Sequence, residues 1–363
     1  MSRATNISPG QYGIVLVFAT IAIHPFGEQM LLYQTTGRFS WLAICIAYLL
    51  SVVSTLLATW MMKPYTDDNV IGVIRRLFGR AVSWGFALMF VLAGVAWGGV
   101  YLRQFWTMIH ATQLKQTPVF VTNLIMMLAV VALVWHGIEG FARASQLLAL
   151  FLVPAMLLLL TGLIQNANFA RLLPLSDPPW GAFMEQRVLS FFFAFKGTLV
   201  PFFFMPYLRH RKHIQLWGFA SLTLAFLFIG FIITLPLAIF HVDAVKIWIL
   251  PIQKSVGTVL LPFFPIHKIS FLTPILWHML VMADLGIMLL IVTQSLGGVI
   301  RLRREKTVLL LAAACTYLLS LFPLSFIQVV QAQIYLSLYG AVLFFALPVL
   351  GACMKGLRRG TVR

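Results

Sequence analysis

FFFAFKGTLVPFFFMPYL, residues 191–208, carries a lysine (Lys196), a glycine (Gly197) and a proline (Pro201) inside an otherwise apolar run. A buried cation and two helix-weakening residues make no sense in the core of a soluble domain. They make sense if the surrounding solvent is lipid and the segment is a spanning helix interrupted at its centre. The rest of the chain decides between these readings.

Of the 363 residues, 61% are hydrophobic and 10% charged. A soluble globular chain carries about a quarter charged residues. Runs of roughly 20 apolar residues recur along the whole length, which is what crossing a hydrocarbon core of about 30 Å requires. The segments are continuously apolar rather than alternating, so a β-barrel is rejected. The chain reads as an all-α polytopic membrane protein forming a single membrane domain over 1–363. The opening MSRATNISPG lacks the layout of a cleavable signal peptide, so the first apolar run reads as the first span.

Ten transmembrane helices are expected, at about 12–33, 40–62, 81–104, 118–137, 143–164, 188–208, 214–240, 271–299, 307–325 and 332–356. Residues 243–268, with prolines at 251, 262 and 265, are too interrupted to span and read as an interfacial or re-entrant segment. SDPPWGAFMEQ (176–186) reads as a similar surface piece.

The net charge of +17 comes from cations placed between the apolar runs, not on one basic face. Lys63, Arg75, Arg76, Arg80, Arg143, the RHRKH turn (209–213), RLRREK (301–306) and the tail fall on one side. Arg38, Lys115, Arg171, Arg187, Lys246, Lys254 and Lys268 are spread over longer loops on the other. The positive-inside rule then puts both termini in the cytoplasm. The arginine clusters suit anionic lipid headgroups, and no nucleic-acid partner is expected.

A five-plus-five division, 12–164 and 188–356, follows from matched breaks in helices 1 and 6. Helix 1 contains AIHPFGEQM (22–30), with His24, Pro25, Gly27 and Glu28; helix 6 contains the opening stretch. A single proline kink can be mere packing. Interrupted segments in corresponding positions of two halves point to a binding site at the repeat interface. Proline removes a backbone hydrogen bond and glycine eases unwinding, and the freed polar groups need a partner at membrane depth. His24, Gly27, Glu28, Lys196, Gly197 and Thr198 are therefore the candidate ligand-binding residues.

A lysine at membrane centre costs about 3 kcal/mol on insertion scales and calls for a partner. The expected pair is Lys196–Glu28. Asp284, in MLVMADLGIMLL (279–290), is the alternative. Arg103, in GGVYLRQFWTMIH (98–110), either snorkels at a helix end or adds a second cation to the cavity. Trp97 with Gly94, Gly98 and Gly99 suggests close helix approach. His24 and His278 read as satisfied buried imidazoles or as groups titrating near neutrality.

No phosphate-binding loop, nucleophile elbow or zinc-binding helix is legible. Cys45, Cys315 and Cys353 have no metal-ligand spacing. The chain is not read as an enzyme, and no cofactor or metal is expected.

The ten-helix order, NVIGVIRRLFGRAVSWGFALMFVLAG (69–94), the FKG of helix 6 followed by MPYLRHRK (205–212), and VDAVKIWILPIQKS (242–255) together resemble the spore germination permeases. These are the B subunits of Ger-type germinant receptors, within the amino acid–polyamine–organocation superfamily. The resemblance covers nearly the whole chain. It implies an inverted-repeat fold in the spore inner membrane, with an A subunit and a lipoprotein C subunit as partners. It also implies binding of a small-molecule germinant, typically an amino acid. A proton-coupled amino acid or organic cation transporter on the same fold is the alternative, with Glu28, Asp284 or Lys196 as the titrating group.

Overall fold

The computed structural model describes residues 7–21, 28–65, 67–260, 270, 272–299, 305–322, 325–349 and 351. Fourteen α-helices are defined among them: α1 Pro9–Ile21, α2 Glu28–Thr36, α3 Ser40–Met62, α4 Val70–Thr112, α5 Val119–Val134, α6 Gly137–Gln165, α7 Gln186–Phe192, α8 Leu199–Phe204, α9 Ile214–Ile239, α10 Val242–Lys246, α11 Pro251–Val256, α12 Leu272–Val299, α13 Glu305–Ser320 and α14 Phe326–Ala341. A β-bridge joins Ile7 and Leu208.

The described helices outnumber the ten expected spans, in part because span 6 is interrupted and short helices lie between spans. Span 6 is divided into α7 and α8, while residues 22–27, between α1 and α2, lie outside the described residues. Among the described residues, six stretches are long and apolar enough to cross a membrane: 29–62, 70–111, 137–165, 186–207, 214–239 and 272–299. α1 and α5 are shorter apolar helices. The described part of 243–268 forms α10 and α11, five and six residues long, too short to cross; residues 261–268 lie outside the described residues.

Glycine punctuates the long stretches. Gly79, at φ 86°, separates Val70–Phe78 from the rest of α4, which is why the helix begins eleven residues before its expected start. Asn69 caps the first limb, its side chain accepting from Gly72 N–H at 3.0 Å. Gly37, at φ 56°, turns the chain between α2 and α3.

The interior is organised around α4 and α12, whose contact is the most extensive in the bundle. Small residues permit it. A Cβ at Gly94 would lie 2.5 Å from Val292, and one at Gly98 2.7 Å from Thr316 on α13. This is the small-residue packing by which membrane helices approach closely. α12 is buried along nearly its whole length, whereas α3, α6 and α9 present large apolar side chains outward, such as Leu49, Val53, Leu150, Phe151, Leu224 and Leu227. An exterior that apolar suits lipid. The chain is an integral membrane protein.

Candidate functional site

The site is built at the break between α7 and α8. α7 stops at Phe192, Phe195 is extended (φ −81°, ψ 98°), and Lys196–Thr198 make one 3₁₀ turn before α8 begins. Pro201 is the third residue of α8, where its missing N–H has no intrahelical acceptor to lose. Gly197 is needed for a second reason: a Cβ there would collide with the Thr20 hydroxyl of α1, which itself donates to Leu16 O at 2.7 Å. The break is thus pressed against the C-terminal part of α1. Aromatic packing holds its flanks, with Phe191 and Phe195 edge to face at 5.4 Å and Phe203 against Phe90 of α4 at 5.1 Å.

Lys196 is wholly buried, and its ammonium pairs with the Asp284 carboxylate of α12, also wholly buried. Two rings of α4 complete the cage. Lys196 Nζ lies 4.1 Å from the Tyr101 ring centroid and 5.8 Å from that of Trp97. Positions 97 and 101 are four apart, so one helix face delivers both rings. A desolvated ammonium over such faces gains about 2 kcal/mol. The pair joins the helix-6 break to both central helices.

Two polar atoms at this break lack a hydrogen-bond partner among the described residues: Asp284 Oδ1 and Thr198 Oγ1, both on fully buried side chains. An unsatisfied buried polar atom costs about 1–3 kcal/mol, and more for a charged one. The site therefore offers a carboxylate oxygen and a hydroxyl to an incoming donor. The pair itself is electrically neutral, so it leaves no net charge to be balanced by a bound ion.

Of the sequence candidates, Lys196, Gly197, Thr198 and Asp284 are brought together. Of the two partners considered for Lys196, the alternative, Asp284, forms an ion pair with it; the side chain of the favoured Glu28 is not among those described. α12 runs through the core facing the break, which puts its one acid against the lysine. His24 and Gly27 lie outside the described residues, as does the Glu28 side chain. Arg103 stands apart from the pair: it is half-buried, and its guanidinium carbon sits 4.8 Å from the Trp106 ring centroid. His278 reads as satisfied, its Nδ1 against Pro274 O and its ring edge to face with Phe105 at 4.7 Å. The role of Tyr101 was missed; its spacing from Trp97 beside the glycine stripe was the available signal.

The two ends of the bundle differ around this site. At the end carrying the 63–69 and 208–213 links, polar contacts tie the elements together. Tyr207 OH donates to Gln294 Oε1 at 3.1 Å, and Asn69 Nδ2 to Gln294 O at 3.1 Å. Arg211 donates to Tyr65 O (3.2 Å) and Met205 O (3.0 Å), and Ile7 brackets Tyr207 and Arg209 by backbone bonds. Burial lowers the Arg211 pKa from the ordinary guanidinium value, with the Asp67 carboxylate opposing the shift. At the other end a vestibule of about 950 Å³ lies between α4, α11 and the start of α14. Gln104, bonded to Gln333 at 3.1 Å, is in its wall one helical turn beyond Tyr101.

Residues 6–327 match a family described as "Spore germination protein". A curated relative, spore germination protein KB of Bacillus subtilis (strain 168), is 22% identical over 253 residues. The match takes in 67% of this chain and 66% of the relative, so just under two thirds of the relative's length is spanned. Two solved structures share the fold. Mhp1, a nucleobase-cation-symport-1 family transporter, in a closed conformation with bromovinylhydantoin bound, superposes with a TM-score of 0.70 at 13% identity, over 97% of this chain and 79% of its own. MhsT in complex with L-phenylalanine superposes with a TM-score of 0.64 at 16% identity, over 96% and 88%.

Proposed function

The chain belongs to the spore germination protein family, and from that premise we propose that it is a germinant-receptor subunit, a ligand sensor on a transporter fold. The observation that carries this reading is the buried polar cluster at the helix-6 break: an ion pair with an unsatisfied carboxylate oxygen and an unsatisfied hydroxyl beside it. Such groups are retained at membrane depth where a ligand or water completes their hydrogen bonds.

The germinant is a small amphiphile, an amino acid in the first instance, held between the two interrupted spans. MhsT, on the same fold, was solved with L-phenylalanine, which supports that class of solute. His24, Gly27 and Glu28 would form the span-1 side of the pocket, and Lys196, Gly197 and Thr198 the span-6 side. Binding biases an equilibrium between two arrangements of the 12–164 and 188–356 halves. The bias equals the differential affinity for the two states, and it is passed to an A subunit and a lipoprotein C subunit in the spore inner membrane. Both termini face the spore core, in line with the cations gathered in the links on that side.

The test is the germination response of spores carrying Lys196→Ala, with the protein's amount in the membrane measured alongside. The response is expected to be lost with the protein still present. A normal response would sink the pocket assignment.

A working proton-coupled transporter is the second reading, favoured by the titratable Lys196–Asp284 pair at mid-membrane. Uptake of an amino acid into proteoliposomes that collapses without a pH gradient would select it.

A further inference from the structure

The vestibule is separate from the helix-6 break, and its walls have a chemistry of their own. Its volume of about 950 Å³ lies at the top of the range of small-molecule sites, roughly 300–1,000 Å³. One side is apolar and aromatic: Met108, Phe240, Trp248 and Phe326, with Phe240 and Trp248 edge to face at 4.8 Å. No aspartate or glutamate is among the described lining residues.

Two features favour a carboxylate. Lys254 of α11 lines the space, is exposed, and has no carboxylate partner among the described residues. α14 begins at Phe326 in the same wall, so the positive end of a 16-residue helix points the field the same way. A third feature calls for a donor. Gln104 is 2% exposed and spends its amide N–H on Gln333, while its Oε1 has no hydrogen-bond partner among the described residues. A buried amide oxygen left so is unfavourable by about 1–3 kcal/mol, which a ligand N–H would recover.

We infer that the vestibule is itself a binding site, for an apolar solute bearing both a carboxylate and an ammonium. Lys254 takes the carboxylate, Gln104 Oε1 takes the ammonium, and Trp248 and Phe240 take the apolar body. The solute is an apolar amino acid or a short apolar peptide, captured before the Gln104–Gln333 bridge that stands between the vestibule and the Tyr101–Lys196 cage. The inference rests on the germinant reading for the class of solute, but its residues are different ones.

The test is protection of a cysteine. In full-length protein with Cys45, Cys315 and Cys353 changed to alanine, Ile249→Cys, in the vestibule wall, is labelled with a membrane-impermeant maleimide in proteoliposomes. L-Phenylalanine, L-leucine and L-phenylalanyl-L-alanine are the probes. Phenylacetate and phenylalaninamide each retain one charge only. The zwitterions are expected to slow labelling saturably at millimolar concentration, and the two single-charge analogues to need at least about tenfold more. Lys254→Gln should raise the half-protecting concentration of L-phenylalanine about tenfold. Lys254→Glu should reverse the preference towards phenylalaninamide. Lys254 is exposed, so these variants do not endanger folding, whereas Gln104→Leu, expected to act like Lys254→Gln, alters a buried bridge. Lys196→Ala should leave protection unchanged.

Absence of protection by all three probes overturns the inference. So does protection that survives Lys254→Gln and vanishes in Lys196→Ala, an outcome that leaves the helix-break site standing. Protection that depends on Lys254, in a protein whose Lys196→Ala spores germinate normally, upholds the vestibule and removes the helix-break reading.

Discussion

Asp284→Asn removes the counter-charge of an ammonium that has no access to water. Both side chains of the pair are at most 1% exposed, so solvent screening provides no relief. Breaking a buried pair by removing one partner costs about 3–5 kcal/mol, because an uncompensated charge remains. Loss of the lysine's proton limits that cost, since a lone buried ammonium neutralises instead of staying charged, and the rings of Trp97 and Tyr101 retain about 1–2 kcal/mol of attraction for it. The lower end, about 3 kcal/mol, is therefore expected for Asp284→Asn, and about 3–5 kcal/mol for Lys196→Met, which strands the carboxylate without those rings. The double variant Lys196→Met with Asp284→Leu leaves no charge and fills the volume with apolar atoms. Such replacements are often neutral or stabilising, so it should lie within about 1 kcal/mol of the parent protein. The assay is reversible denaturation by SDS in mixed micelles, followed by tryptophan fluorescence and read as a double-mutant cycle. The cycle should return a coupling of at least about 5 kcal/mol. Single effects that add to within about 0.5 kcal/mol in the double variant would refute the pairing, because additivity is the behaviour of sites that do not interact.

Other consequences are equally direct. Gly197→Ala forces a methyl onto the Thr20 hydroxyl and should cost about 1–3 kcal/mol, most of it restored by adding Thr20→Ala; failure of the second change to rescue would mean that the strain lies elsewhere. Gly94→Leu drives a side chain into Val292 across the α4–α12 contact and should lower the yield of folded protein far more than Gly85→Leu, where nothing lies within 4 Å, as size-exclusion profiles in detergent would reveal. Tyr207→Phe removes one hydrogen bond to Gln294, an effect of about 1 kcal/mol on stability. It should also increase maleimide labelling of a cysteine at Thr198; unchanged labelling would show that this bond does not help to close that end of the bundle.

Much was legible in the residues themselves. The class of the protein followed from apolar runs of spanning length, and the interruption of span 6 from Lys196, Gly197 and Pro201 standing together in one of them. The family followed from the order of the helices and the short motifs between them. What stayed illegible concerns lateral neighbours. The favoured partner of Lys196 is Glu28, because two interrupted spans are expected to face each other; the Glu28 side chain is not among those described, and the carboxylate that pairs with the lysine belongs to α12, 88 residues further along the chain. Tyr101 shares a helix face with Trp97 beside the glycine stripe, which marks it as interior, but that spacing does not name a lysine on helix 6 as what it meets.

The division has a physical cause. Solvent preference and backbone propensity are properties of a residue and its near neighbours, so a linear string determines which segments enter lipid and where a helix fails. Which side chains share a cavity depends on the rotation of each helix about its own axis and on how closely two helices can approach. Those are set by pairwise packing, here by glycines such as Gly94 that let α12 close on α4 and bring Asp284 into reach of Lys196. The sequence determined a lipid-embedded helical bundle with an interrupted, charged span; only the tertiary structure decided that the charge is neutralised by α12, caged by α4, and overlooked by a vestibule.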